Sequence, residues 1–294
     1  MRITEQGTYQ RTIQQLQQRL SAYSVAQNRV SSGKAINRPS DDPLGMSKAL
    51  ELRAAKKARQ QETRNAEDGI RWLNLADTAL QAVTDRLQRV RELAVRGATF
   101  TSVGERTAIA AEVDALKEDL VDLANSRYQG RPLFSGFSAA DPVQLSGAAW
   151  TYTGDNGAIN RRVGENEVVQ VNLTADQVFG FTSAKDLFTT VDDFVTALNT
   201  NSQGGIETAI GEIDTAMETV LTSLSQLGAA TNRVENAKAK SADDLLTIRT
   251  NLTEIEDVDL SEAILDLQLQ ETAYQGTLAA FARSSQPSLV DFLR

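Results

Sequence analysis

The sequence predicts a mainly α fold: a long antiparallel helical rod with coiled-coil helices at both termini and a small inserted β-rich domain. Three observations carry that prediction. Apolar residues near both ends recur at alternating steps of four and three, the spacing of a narrow packed helix seam. From Ile206 to Ile255, fifteen positions keep this alternation without a slip, and twelve of them are apolar. Between about residues 135 and 182, Gly, Asn, Thr and aromatics replace an Ala/Leu/Arg texture. A chain of 294 residues has room for one elongated or two compact domains.

In the head, Tyr9, Ile13, Leu16, Leu20, Tyr23, Gln27 and Val30 form the seam, broken chemically only by Gln27. Gly33 interrupts the helix, and the stretch "SSGKAINRPSDDP" (31–43) delays the next one. A residue before proline is pushed toward extended backbone, so Arg38 and Asp42 should not be helical. Pro43 suits the first turn of a new helix, with Asp41 or Asp42 capping its free N–H groups. Gly33, Pro39, Asp41, Asp42 and Pro43 are therefore the candidate hinge. Gly33-Lys34 is similar to the end of a phosphate-binding loop, which would need G-x-x-x-x-G-K-[ST]. Asn28 stands where the first glycine belongs, and Ala35 replaces the magnesium-binding hydroxyl.

A second helix is predicted from about 43 to 96, with Leu73, Ala76, Leu80, Val83, Leu87, Val90 and Ala94 as its seam. The outward pairs Asp85/Arg89 and Glu92/Arg96 have the i, i+4 spacing of helix ion pairs. Gly97 to Gly104 reads as a turn, and a third helix over about 105–128 shows Ile109, Val113, Leu116, Leu120 and Leu123. "WTYTGDNGAINRR" reads as two strands around a tight turn at Asp155-Asn156-Gly157. "EVVQVNL" (167–173) alternates like a half-buried strand. The acid-Asn-Gly group lacks the spacing and closing Glu of a calcium loop.

A short helix near 184–199 leads to the long one, which begins near Gly205. Its seam is Ile206, Ile210, Ile213, Met217, Val220, Leu224, Leu227, Thr231, Val234, Lys238, Ser241, Leu245, Ile248, Leu252 and Ile255. At 1.5 Å per residue this run spans roughly 75–80 Å, close to the length of the second helix. An antiparallel pair would bring residues near 43 and 255 to one end. Asp259 followed by Glu262 is a variant of the capping box and starts a last helix. That helix has Leu260, Ile264, Leu267, Tyr274, Leu278 and Phe281 as its seam, with Glu271 the exception, until Pro287. The segments are then 1–42, 43–134, 135–183 (the β-rich insert), 184–256 and 257–294. Helices of this size are marginal in water without a packed face, so the head and tail seams should order on assembly.

The chain has no His and no Cys. That excludes Ser-His-Asp and Cys-His catalysis, His/Cys zinc sites, thiolate chemistry and disulfides. A glycosidase would need two carboxylates in a concave pocket, but the acids here fall mostly on predicted helix surfaces. No catalytic residue, cofactor site or metal site is expected. No apolar run approaches a membrane span, and no cleavable signal is visible. Residues 1–64 carry 12 Lys/Arg against 5 Asp/Glu, a net of +7, while the other 230 carry 18 against 34, a net of −16. The basic head lacks the interleaved aromatics and motif of a nucleic-acid binder. With +5 over residues 1–38 and −6 over 250–294, head and tail should attract each other.

"NRVSSGKAINRPSDDPLG" (28–45), "LQRVRELAVRGA" (87–98), "LGAATNRVE" (227–235) and "IEDVDLSEA" (255–263) occur in that order. On these motifs the chain resembles the bacterial flagellin family over nearly its whole length. "MRIT" with Tyr9, "RPSDDPLG", "PLFSGF" (132–137) and the close "SLVDFL" (288–293) are similar to the branch that joins hook to filament; Arg294 resembles the filament subunits instead. The resemblance implies a flagellin-like fold and a non-enzymatic axial protein of the bacterial flagellum. Such a protein is exported unfolded by the flagellum's own type III apparatus and works outside the cell. It implies a homo-oligomer in a ring or helical layer, next to another hook-associated protein and flagellin. It also implies an export chaperone at Leu260–Phe281, and Arg89 and Leu93 match residue types in a stretch that an innate immune receptor reads in flagellins. Two other readings of the same residues are a filament subunit and an intracellular coiled-coil scaffold.

Overall fold

The computed structural model describes residues 2–99, 102–147, 149–183 and 185–284. The elements are α1 (Arg2–Ser32), α2 (Pro43–Ala98), α3 (Val103–Ala124), β1 (Arg127–Tyr128) and β2 (Arg131–Pro132). They continue with β3 (Val143–Ser146), β4 (Ala149–Tyr152), β5 (Asn160–Arg162), β6 (Val168–Gln170) and α4 (Ala175–Phe179). Three more helices follow: α5 (Leu187–Asn199), α6 (Gln203–Glu256) and α7 (Leu260–Ser284). The chain divides into two units: one combines the two ends, up to Ala58 and from Asp244, and the other is Arg59–Asp243. Pro287 and "SLVDFL" lie outside the described residues.

In the middle unit the two long helices run antiparallel. Glu67 pairs with Lys238 at 3.2 Å, Arg91 with Asp214 at 2.5 Å, and Gln203 donates to the Ala98 carbonyl at 2.9 Å. The predicted seam of α2, from Leu73 to Ala94, is buried at every position. On α6, Ile206, Ile213, Val220, Leu227 and Val234 are buried in the same core. Burying one such side chain stabilises by about 1.5–3 kcal/mol, which is why a strict heptad register survives along this helix. The predicted Asp85/Arg89 pair on α2 gives way to other partners. Arg89 turns to Glu112 of α3 (2.6 Å) and to Glu92 (3.0 Å) rather than to Asp85.

The third helix starts two residues earlier than predicted, because Ser102 and Glu105 form a reciprocal capping box. It stops at Ala124, because the Asn125 amide takes both backbone groups of Val143 (3.1 and 3.0 Å) and ties the chain to the first residue of β3. The β-rich segment consists of three antiparallel two-stranded pairs: β1 with β2, β3 with β4, and β5 with β6. The sequence placed a tight turn at Asp155-Asn156-Gly157, but β4 pairs backward with β3 and β5 pairs forward with β6. The Asp155 carboxylate instead accepts from the Phe137 and Gly157 N–H groups (2.7 and 2.8 Å), which pulls this loop against 135–137. The turn with two positive φ values is Gln129-Gly130, between β1 and β2. The insert shares one core with the helices: Phe134, Phe179 and Phe188 are buried together, with ring centroids 5.9 and 5.3 Å apart.

Candidate assembly surface

In the unit built from the chain ends, α1 and α7 pack antiparallel. Tyr9 meets Phe281 at 5.5 Å between ring centroids, and Tyr23 stacks on Tyr274 at 6.2 Å. The predicted α1 seam is brought partly inward. Ile13, Leu16, Tyr23 and Val30 are half-buried, while Tyr9 and Leu20 remain exposed. The most deeply buried residue on that face is Ala26, beside the predicted Gln27. Alanine gives little sequence signal of such burial.

The tail seam keeps Leu267, Tyr274 and Phe281 but shifts by one residue at the alternate positions. Ala263, Leu267, Gln270, Tyr274, Thr277 and Phe281 turn inward. Leu267, Tyr274 and Phe281 were in the predicted seam, but Leu260, Ile264 and Leu278 are exposed. Leu265 and Leu269, each 66% exposed, widen the outward apolar face of α7. An isolated chain thus buries Gln270 and Thr277 in preference to Ile264 and Leu278. The expected charge attraction is realised as an ion pair between Lys34 and Glu256 (2.9 Å), whereas Arg11, Arg19 and Arg29 of α1 form none with the acids of α7 among the described residues.

The loop between α1 and α2 is pinned to the α6–α7 junction. Ala35 N–H donates to the Glu256 carbonyl (2.7 Å) and Val258 N–H to the Gly33 carbonyl (3.1 Å). The Glu256 carboxylate, its side chain only 8% exposed, sits between Lys34 Nζ (2.9 Å) and Arg53 Nε (2.7 Å). Burial works against this charge, but Arg53 and Lys34 outweigh it and hold the carboxyl below its ordinary value. Lys34 is thereby committed to a carboxylate rather than poised for phosphate. Glu256 and Arg53 were missed by sequence reasoning, because nothing in either local pattern says that residues 203 apart meet. That separation follows directly from their numbers.

The remaining candidate hinge residues have separate tasks. The Asp42 carboxylate caps α2 by accepting from Leu44 and Gly45 N–H (3.1 and 3.0 Å). Asp41 instead closes the loop on Asn37 and Arg38 N–H (3.1 and 2.9 Å). Pro39 is exposed within that loop, and Pro43 opens α2. Asp259 caps α7 through Ser261 and Glu262 N–H (2.8 and 3.3 Å). In the middle unit, Arg89 is held by carboxylates on the surface, whereas Leu93 is 1% exposed and faces the core of its own chain. The two therefore do not form a shared surface patch.

Among the described residues, no group of three or more Asp or Glu side chains could hold a metal ion. No described helix is long and apolar enough to cross a membrane. A hollow of about 460 Å3 beside α6 is lined by Thr, Ser and Gln with Glu218 as its single carboxylate. What the geometry offers is helix faces and a pinned corner.

Two family models match this chain: the bacterial flagellin N-terminal helical region over residues 3–139, and the C-terminal helical region over 210–293. The chain belongs to the bacterial flagellin family. It is 26% identical over 305 residues to flagellar hook-associated protein 3 of Escherichia coli (strain K12), covering 96% of each chain. It is 25% identical over 279 residues to flagellin FlaB2 of Treponema pallidum (strain Nichols), covering 92% of this chain and 93% of the relative. Among solved structures, flagellar hook-associated protein 3 of Legionella pneumophila has the same fold, with a TM-score of 0.65 at 18% identity. That match covers 70% of this chain and 98% of the other.

The S-S-G, I-N, D-D, Gly pattern shared with flagellins now has a physical account in this chain. Ser32 Oγ accepts from Lys34 N–H and the Asn37 amide (3.2 and 2.9 Å). Gly33 has φ +67°, in the left-handed region that ends a helix at low cost only for glycine. Ile36 is buried, and Asn37 also donates to the Lys34 carbonyl. A Cβ on Gly45 would fall 2.3 Å from Asp42 Oδ2 and 2.7 Å from Ile36 Cδ1. In this flagellin-family chain the motif builds a helix stop, a pinned loop and a capped restart.

Proposed function

We propose that this chain is an axial structural subunit of the bacterial flagellum that joins the hook to the filament. The observation that carries the reading is similarity to a hook-associated protein 3 along 96% of both chains, including both terminal helices. The exposed apolar faces of α1 and α7 support it, because a lone chain leaves Leu20, Leu260, Ile264, Leu265 and Leu269 in water. Sister subunits in a ring or helical layer cover them, and the adjacent partners are another hook-associated protein and flagellin. On this reading the protein is exported unfolded through the flagellum's own apparatus, guided by a chaperone on Leu260–Phe281. It then works outside the cell and performs no catalysis. The segments 1–42 and 257–294 form its inner coiled-coil layer, 43–134 and 184–256 its rod, and 135–183 its outer insert, with the loop around Gly33 and Pro43 as the hinge.

Deleting the gene tests this. Cells should keep hooks, lose filaments and release unassembled filament protein into the medium. Filaments that persist without the gene would refute the junction role. Loss of the filament protein itself would instead favour the filament-subunit reading, which similarity to flagellin FlaB2 keeps in view.

A further inference from the structure

Two cations beside the pinned loop form no ion pair among the described residues. A hollow of about 280 Å3 opens between the last turns of α1 and the loop at 37–41, with Val25, Arg29, Arg38 and the single carboxylate Asp41 on its wall. A water occupies about 30 Å3 of the liquid, so the space exceeds that of several waters. Neither guanidinium has an ion-pair or hydrogen-bond partner among the described residues. The carbonyls that could have used them are taken. Asn28 O accepts from Ser31 Oγ, and Arg29 O accepts from Gly33 N–H and Ser32 Oγ. The nearby carboxylate, Asp41, spends Oδ2 on the Asn37 and Arg38 N–H groups. The loop is thus closed by its own hydrogen bonds, while two guanidiniums against one carboxylate leave the hollow net positive beside Val25.

The matching shape is on the same molecule but turned elsewhere. Glu262, Leu265, Asp266 and Leu269 follow the i, i+3, i+4, i+7 spacing of one helix face. Glu262, Leu265 and Leu269 are exposed and Asp266 is half-buried. Among the described residues Glu262 has no ion pair, and Asp266 accepts only from the neighbouring Gln270 amide (3.2 Å). The head carries +5 over residues 1–38 and the tail −6 over 250–294; Lys34 and Glu256 pair with each other, but the described parts of α1 and α7 do not pair their charges within one chain. We infer that the Arg29–Arg38 hollow is a docking socket for the Glu262–Leu269 face of α7 on a second copy of this chain. The carboxylates meet the guanidiniums and Leu265 covers Val25. This rests on the assembly reading above and names the contact that orients successive subunits head to tail.

The test exchanges the charges. One variant carries Arg29→Glu with Arg38→Glu; the other carries Glu262→Lys with Asp266→Lys. Each alone places like charges across the contact, so in a gene-deleted strain the fraction of hooks bearing filaments should fall at least about tenfold against wild type. Co-expressed, the two variants present opposite charges to each other at every alternating contact, and filaments should return. Full filament formation by either single variant overturns the proposal, as does failure of the pair to restore it.

Circular dichroism of each purified chain reports folding, and the amount released into the medium reports export. The milder Arg29→Gln with Arg38→Gln pair replaces any variant that does not fold, and should lose filaments without being rescued. Sedimentation velocity of purified chains gives a readout independent of motility and export. The equimolar mixture should contain species heavier than either variant alone forms, and a profile equal to the mean of the two overturns the socket. If deletion leaves filaments intact, the junction role fails, while the sedimentation result still judges the socket.

Discussion

Replacing Glu256 by Gln keeps the shape of the corner and removes the charge that Lys34 and Arg53 share. The acid side chain is 8% exposed, but each cation is 40% exposed. Losing one partner of a fully buried pair costs about 3–5 kcal/mol, and an exposed pair is worth about 0–1 kcal/mol. The cations here regain water when the acid is gone, so two partly screened contacts should cost about 1.5–2 kcal/mol in total. That cost falls on the local opening of the corner rather than on the core at Arg59–Asp243. Hydrogen–deuterium exchange at the Ala35 and Val258 amides reads it, because both are bonded across the corner. At neutral pH the variant should exchange them roughly 10–30 times faster than wild type. Ile159 and Val171, amides bonded within the middle unit, should not change. The carboxyl sits below its ordinary value of 4.5, so its contribution is complete above that value and is lost as pH falls through the lowered one. After correction for intrinsic exchange, the difference between the proteins should therefore shrink in acid below 4.5. Equal exchange at neutral pH would refute the claim that Glu256 clamps the corner.

Two other outcomes follow from burial. Leu80→Ala, at a side chain 0% exposed in the core, should cost about 2–5 kcal/mol in urea unfolding. Leu246→Ala, at a side chain 65% exposed, should stay within about 0.5 kcal/mol. Burial, and secondarily the charges of Asp155 and Asp176, push the Tyr152 phenol up to about 12, and its hydroxyl donates to the Asp155 carbonyl (2.5 Å). A raised value stabilises the fold below the ordinary 10.0 and is lost as pH rises toward 12, so ultraviolet titration of Tyr152→Phe should lack the last-ionising tyrosine.

The amino-acid order alone determined the long helices, the breaks at Gly33, Pro43 and Asp259, and much of the seam of each long helix. Leu73 to Ala94 and Ile206 to Val234 repeat often enough that one residue of slip would expose the whole stripe, so local spacing fixes the buried face there. Pro43, Gly33 and Asp259 likewise act through their immediate neighbours. Tertiary structure decided whatever depends on a distant partner. It buried Ala26 and Ala263 while longer apolar neighbours stayed exposed, a choice that small side chains with little periodic signal do not announce. It turned Arg89 toward Glu112 and Glu256 toward Lys34 and Arg53, because a charge selects the nearest opposite charge in space, whatever its number along the chain. It also left Ile264 and Leu278 uncovered and the cations Arg29 and Arg38 without an ion pair among the described residues. A seam reads the same whether its partner is the same molecule or the next one, and only the packed chain shows which residues remain unmatched.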